Sequence, residues 1–213
     1  MLRAEDLDRL SEIVAKCDCF IISDEIYEKL NFSGIVSLSP ASRPEMAERT
    51  ITINGFSKAF SMTGWRIGYM AVPNDEVLKA ASRLQQHLNT NTATFVQKAA
   101  LASFDLPADH LEKYNRRLAE NLSALKSVVS RNEKLRLVPS EGGLFAFLDI
   151  SKFAIPSDEF TTELLAATNV AATPGVVFGG NWDGHIRTSL AIEPSLFAEG
   201  VERLGSFAGR LTA

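Results

Sequence analysis

The sequence predicts an α/β fold, a mainly parallel sheet with helices on its faces, followed by a smaller α+β part. Two observations carry this. Up to residue 104, short continuous apolar runs alternate with segments of helical spacing, as in strands buried between helices. From residue 105 a long helix leads into short strands and glycine turns, which reads as a separate unit. The expected domains are therefore residues 1–104 and 105–213.

Residues 5–16 place Leu7, Leu10, Ile13 and Val14 on one helical face. Residues 19–23 form a continuous apolar run that predicts a buried parallel strand, with Cys19 turned toward the core. Residues 50–54 predict a second strand, and residues 67–72 a third, ended by Pro73. A helical region then runs from Asn74 to about Ser103. It should break at Asn89-Thr90-Asn91-Thr92, where helix propensity is poor. A second long helix is expected over 108–130, with Leu111, Leu118, Leu122 and Leu125 as its apolar stripe. Residues 135–138 and 144–150 predict strands around Ser140-Glu141-Gly142-Gly143. Ser157 is expected to cap a helix ending near Thr168. Residues 170–173 and 185–192 predict two more strands, and Pro194-Ser195 opens the last helix.

Composition narrows the function classes. With 46% apolar and 23% charged residues in 213, the chain reads as an ordinary globular protein. A net charge of −4 without a basic block points away from nucleic acid and anionic membranes. No apolar run approaches the roughly 20 residues that span a bilayer, and Met1 to Arg9 does not read as a signal peptide. Cys17 and Cys19 are too closely spaced for an intra-element disulfide and lack companion metal ligands; reduced thiols suit the cytoplasm. His87, His110 and His185 show no metal spacing either.

The chemistry concentrates in Ser57-Lys58-Ala59-Phe60-Ser61-Met62-Thr63-Gly64-Trp65-Arg66-Ile67-Gly68-Tyr69. This loop joins two predicted strands and holds one lysine with an arginine eight residues on. A neutral lysine amine attacks an aldehyde, and a guanidinium binds phosphate through a bidentate contact. Asp24 follows the apolar run Phe20-Ile21-Ile22. It therefore stands beyond the carboxyl end of a strand, where open α/β sheets bind ligands. Tyr27 lies three residues further on. Arg187 falls in a late predicted strand, where it could grip a carboxylate or make a structural pair with Glu193. Phe56, Phe60 and Trp65 read as packing residues.

At these residues the chain resembles the class I and II aminotransferases, fold-type I enzymes that use pyridoxal 5'-phosphate (PLP). The likeness extends through Ile22-Ser23-Asp24-Glu25-Ile26-Tyr27, Glu141-Gly142-Gly143-Leu144-Phe145, Thr173-Pro174-Gly175-Val176-Val177-Phe178-Gly179 and Ile186-Arg187-Thr188-Ser189-Leu190-Ala191. It implies that 1–104 is part of the large PLP-binding domain and 105–213 the small C-terminal domain. It implies that Lys58 carries the cofactor, Asp24 holds its pyridine nitrogen and Tyr27 its phenolic oxygen. Ser57 and Arg66 would bind its phosphate, and Arg187 the substrate carboxylate. Gly64 and Gly68 would leave room for close backbone approach. At Gly55 the sequence departs from many relatives, which carry a hydroxyl there.

The implied activity is amino-group transfer between an amino acid and a 2-oxo acid, in a homodimer. A lyase or synthase of the same fold would share these residues, and a non-catalytic interaction fragment is the third reading. By the same resemblance the chain corresponds to a C-terminal half. A phosphate-binding Gly/Ser/Thr turn, a ring-stacking aromatic and an Asn-Pro-x-x-Pro-Thr-Gly segment would lie before its first residue. The expectation is a truncated chain whose activity alone is doubtful.

Overall fold

The computed structural model describes residues 1–211. They form two compact units, divided between Leu111 and Glu112.

In the first unit, α1 (Ala4–Val14) leads to β1 (Ile21–Asp24), and the short α2 (Pro44–Ala47) precedes β2 (Thr50–Gly55). β3 (Gly68–Ala71), α3 (Asp75–Asn89) and α4 (Thr94–Ala102) complete it. The sheet order is β1-β2-β3. β1 and β2 are parallel, with Asp24 opposite Ile53. β3 is antiparallel to β2, so the sheet is mixed. The reason is the connection: residues 56–67 hold no crossover helix, which a parallel return would need.

One face of this sheet is covered. Ile21 packs with Leu7, Leu10, Val14, Leu38 and Met46 from α1, α2 and the loop between β1 and α2. The alternate residues point the other way, and there Ile22 (69% exposed), Ile53 (38%) and Met70 (39%) remain open to solvent. Cys17 and Cys19 are both free and exposed. The expectation of a core Cys19 fails because the strand begins two residues later, at Ile21. The helical region breaks between Asn89 and Thr94, and Asn74 caps α3 by accepting the Glu76 and Val77 amides.

The second unit takes nearly all of α5 (His110–Val129), then β4 (Arg136–Leu137), β5 (Phe145–Asp149) and α6 (Ser157–Thr168). β6 (Thr173–Pro174), β7 (His185–Ser189) and α7 (Pro194–Arg210) follow. The sheet order is β4-β5-β7-β6, with every pair antiparallel. Strand alternation sorts the residues cleanly. Ala146, Leu148 and Ile186 are buried on one face. Phe145, Phe147, His185 and Arg187 share the other face and stay half-buried.

Leu118, Leu122 and Leu125 of α5, Phe160 and Leu164 of α6, and Phe197, Val201 and Leu204 of α7 fill the core. Ser157 is fully buried, yet it does not cap α6 as expected. Its hydroxyl donates to Asp183 at 2.8 Å and accepts the Val176 amide at 3.1 Å. It thereby fastens the start of α6 to the loop between β6 and β7. Among the described residues, no helix is long and apolar enough to cross a membrane.

Candidate active site

Strand direction gathers the first group. β1 and β2 run parallel, so Asp24 and the chain leaving Gly55 emerge at the same end of the sheet. β3 runs back from that end, starting at Gly68 opposite Gly55. Ser57 and Lys58 follow β2 directly, and Arg66 immediately precedes β3. Asp24, Ser57, Lys58 and Arg66 therefore share one sheet end, and Tyr27 sits on the turn after β1.

The Lys58 loop is held from below. Phe56, Ala59 and Met62 are buried. Phe56 and Met62 pack with Ala100 of α4, and Phe60 and Ile67 lean on this cluster. The Phe56 ring lies 5.5 Å from Phe60 and 5.8 Å from Phe104. The Met62 amide donates to Phe56 O, and the Thr63 hydroxyl donates to Ser57 O at 2.8 Å. Ser61 and Arg66 are both left-handed, each at φ +53°. Two such turns in non-glycine residues fold the loop back on itself. Trp65 is not a packing residue: it is 46% exposed at the loop's outer edge.

On this base Lys58 is half-buried, with Nζ 5.7 Å from the centre of the Tyr27 ring. Asp24 is exposed and accepts the Ile26 amide at 3.2 Å. Arg66 is exposed and donates to Thr63 O at 3.2 Å. Among the described residues none of these three charges has an opposite charge for a partner, and close to the sheet end they form an amine, a carboxylate and a guanidinium with a phenol beside them.

Glycine at 55 and 68 answers a packing need. A Cβ on Gly68 would stand 2.8 Å from Asn54 O. One on Gly55 would stand 3.0 Å from both Gly68 Cα and Ile67 O. A side chain at Gly68 would force the strand pair apart, and one at Gly55 would be tight, so the close approach of the two strands suits glycine at both. Gly64 faces open space.

Arg187 belongs to the second unit, at the centre of β7 opposite Phe147. The structural pair with Glu193 does not form. Glu193 pairs with Arg117 instead, at 3.4 Å. The Arg187 guanidinium carbon lies 4.1 Å from the Phe145 ring centre and 4.9 Å from that of Phe178. The sequence reading missed these two phenylalanines. Their signal was present in the motifs, but only the register of β5 on β7 shows that they meet Arg187.

Comparison with known proteins decides the family. The model for class I and II aminotransferases matches residues 1–204. The chain belongs to this family. It is 35% identical to the aspartate aminotransferase of Bacillus sp. (strain YM-2), over 95% of this chain and 53% of that protein. It is 33% identical to aromatic-amino-acid aminotransferase 2 of Thermococcus litoralis, over 96% of this chain and 52% of that one. The crystal structure of the aromatic aminotransferase from Pyrococcus horikoshii matches with a TM-score of 0.88 at 30% identity. The match covers all of this chain and 57% of that one. Cystalysin from Treponema denticola, whose crystal structure contains PLP, matches with a TM-score of 0.93 at 20% identity, a likeness of fold alone. The chain thus spans about half the length of the relatives it matches.

The donor set fits PLP. The cofactor offers an aldehyde, a pyridine nitrogen, a phenolic oxygen and a phosphate. The sheet end offers, in the same order, an amine, a carboxylate, a phenol and a guanidinium.

Proposed function

We propose that this chain carries the C-terminal site residues of a PLP-dependent aminotransferase that exchanges an amino group between an amino acid and a 2-oxo acid. The observation that supports it is the gathering of Asp24, Lys58 and Arg66 at one sheet end, with no ion-pair partner for any of them among the described residues. In this reading residues 1–104 are part of the large cofactor-binding domain and 105–213 the small one.

Lys58 would hold the cofactor covalently through Nζ. Asp24 keeps a proton on the pyridine nitrogen, Tyr27 donates to the phenolic oxygen, and Arg66 with Ser57 binds the phosphate. When bound, PLP accepts the amino group and withdraws electrons from the substrate α-carbon. Lys58 Nζ, once free, would take the proton from that carbon as general base and deliver it, as general acid, to what had been the cofactor's aldehyde carbon, so that the amino group stays with the cofactor. Arg187 grips the substrate α-carboxylate. The support for that role is that the guanidinium makes no ion pair among the described residues.

A cytoplasmic homodimer completes the proposal. Cys17 and Cys19, both free, suit a reducing compartment. A lyase or synthase of the same fold would use the same residues. One observation favours a different reading, an interaction fragment that works only with further polypeptide: Ile22, Ile53 and Met70 leave a sheet face uncovered.

Absorbance of the purified chain with added PLP, before and after borohydride and beside Lys58→Ala, tests the proposal. A shifted band that reduction makes permanent, and that the variant lacks, supports a working site. A spectrum of free cofactor alone rejects one in this chain. A single half-reaction with an oxo-acid acceptor then separates transamination from lyase chemistry.

A further inference from the structure

We infer that Phe145 and Phe178 are positioning residues that hold the Arg187 guanidinium as a flat, open fork for a carboxylate. The inference rests on the reading of Arg187 as the substrate-carboxylate arginine.

The register of the second sheet builds the arrangement. Phe147 lies opposite Arg187 on β5, and Phe145 lies on the same face as its diagonal neighbour. That places the Phe145 ring 4.1 Å from the guanidinium carbon. Phe178 comes from the turn after β6, and its ring centre is 4.9 Å away. The turn is fixed in its own right. A Cβ on Gly175 would run into Trp182 O and stand 2.5 Å from His185 O, so only glycine lets the turn close on β7. Ser157 holds the Val176 amide. Phe178 is then braced edge-on by Phe147 at 6.0 Å, and Phe147 by Trp182 at 5.5 Å and by a stacked His185 at 5.1 Å.

The surroundings of the other arginines sharpen the point. Arg116, Arg117, Arg131, Arg136 and Arg203 of the second unit each meet a carboxylate; Arg210, exposed in the last turn of α7, meets none among the described residues. Arg187 meets aromatic rings and, among the described residues, no hydrogen-bond or ion-pair partner. A guanidinium points all its N–H donors within its own plane. Rings over its carbon use the attraction between cation and π-face and leave those in-plane donors available. They also restrict rotation of a side chain that would otherwise lose freedom when a ligand binds.

Arginine Nε–Hε relaxation in the full chain, with propionate as the probe and Arg187→Lys to identify the signal, tests this. Arg187 Nε should be as rigid as the backbone in the parent chain. It should become mobile in Phe178→Leu and in Phe145→Leu, and stay rigid in Phe178→Tyr. The two leucine variants should bind propionate about three- to tenfold more weakly. An Arg187 Nε already as mobile in the parent as in the leucine variants overturns the inference, as does unchanged rigidity when both rings are replaced. Propionate that binds Arg187→Lys as well as the parent overturns the carboxylate reading instead, and the rigidity comparison is decided separately from it.

Discussion

Glu193 is paired with Arg117 at 3.4 Å, and Arg187, six residues before Glu193, has no carboxylate partner among the described residues. A charge kept without an acidic partner contributes little to holding the fold. Arg187→Met should therefore lower the unfolding free energy by no more than about 1 kcal/mol, the loss of its ring contacts. It should abolish binding of a carboxylate substrate or analogue. Denaturant melts beside a binding titration check both halves. A large stability loss would make Arg187 a structural residue.

The strand that carries Arg187 is tied down just beyond its end. The Asn121 amide, 1% exposed on α5, donates to Leu190 O at 2.8 Å and Ile192 O at 2.9 Å. Asn121→Leu keeps the volume and removes both donations, leaving Leu190 O without its side-chain donor and Ile192 O with Arg117 Nε alone, at 3.2 Å. The expected cost is about 2–3 kcal/mol by urea denaturation, since unsatisfied buried groups forfeit their solvation. Asn121→Asp should not rescue it, because a carboxylate accepts where a donor is required.

Much of this architecture was legible because it rests on local patterns. The apolar runs located β1, β2 and β3, and the Asn/Thr cluster located the break between α3 and α4. What escaped depended on partners distant in sequence. The Glu193 pair looked natural for Arg187 along the chain, but α5 brings Arg117 there instead. Ser157 looked like a helix cap, yet Asp183, 26 residues away, takes its hydroxyl. Phe145 and Phe178 meet Arg187 only through strand register and a closed turn. The close approach at Gly55 became visible once Gly68 was seen opposite it.

That last pairing makes a prediction against the family pattern. Restoring a hydroxyl with Gly55→Ser puts a Cβ 3.0 Å from Gly68 Cα and Ile67 O, both backbone atoms that cannot swing aside. The variant should lose about 1–3 kcal/mol, as overpacking does. It should bind PLP no more tightly than the parent. Thermal melts and a cofactor titration check this; tighter binding without destabilisation would refute the packing account.

Acid should act on the second unit through two carboxylates. Burial pushes the Asp149 carboxyl up, but hydrogen bonds from the Ser151 hydroxyl and amide, together with Arg136, outweigh it and bring the group from its ordinary 3.8 to about 2. Asp183 is also lowered, by the amide and then the hydroxyl of Ser157. Both groups bind protons more weakly folded than unfolded. Their stabilisation is therefore present above the ordinary carboxylate value and is lost as pH falls from about 4 toward 2. Asp149→Asn should flatten that part of the stability profile while changing little of its shape above pH 5. Urea midpoints measured from pH 2 to pH 7 decide it.

The open face of the first sheet carries the last prediction. Ile53 lies directly opposite Met70, and Ile22, which pairs with Ile51, shares their face as a diagonal neighbour of Ile53. β1 and β3 are also edge strands, so apolar surface and unpaired backbone groups coincide. The chain alone should bind a hydrophobic dye and self-associate as its concentration rises. Ile22→Lys with Met70→Lys should suppress both, since charged side chains on a sheet face and edge oppose stacking. Neither residue belongs to the Lys58 loop, so the absorbance response to PLP should persist in the double variant. Light scattering over a dilution series reads the result. Association that survives both lysines would locate the contact elsewhere, and the exposed stripe of Leu84 and Leu88 on α3 would be the next surface to charge.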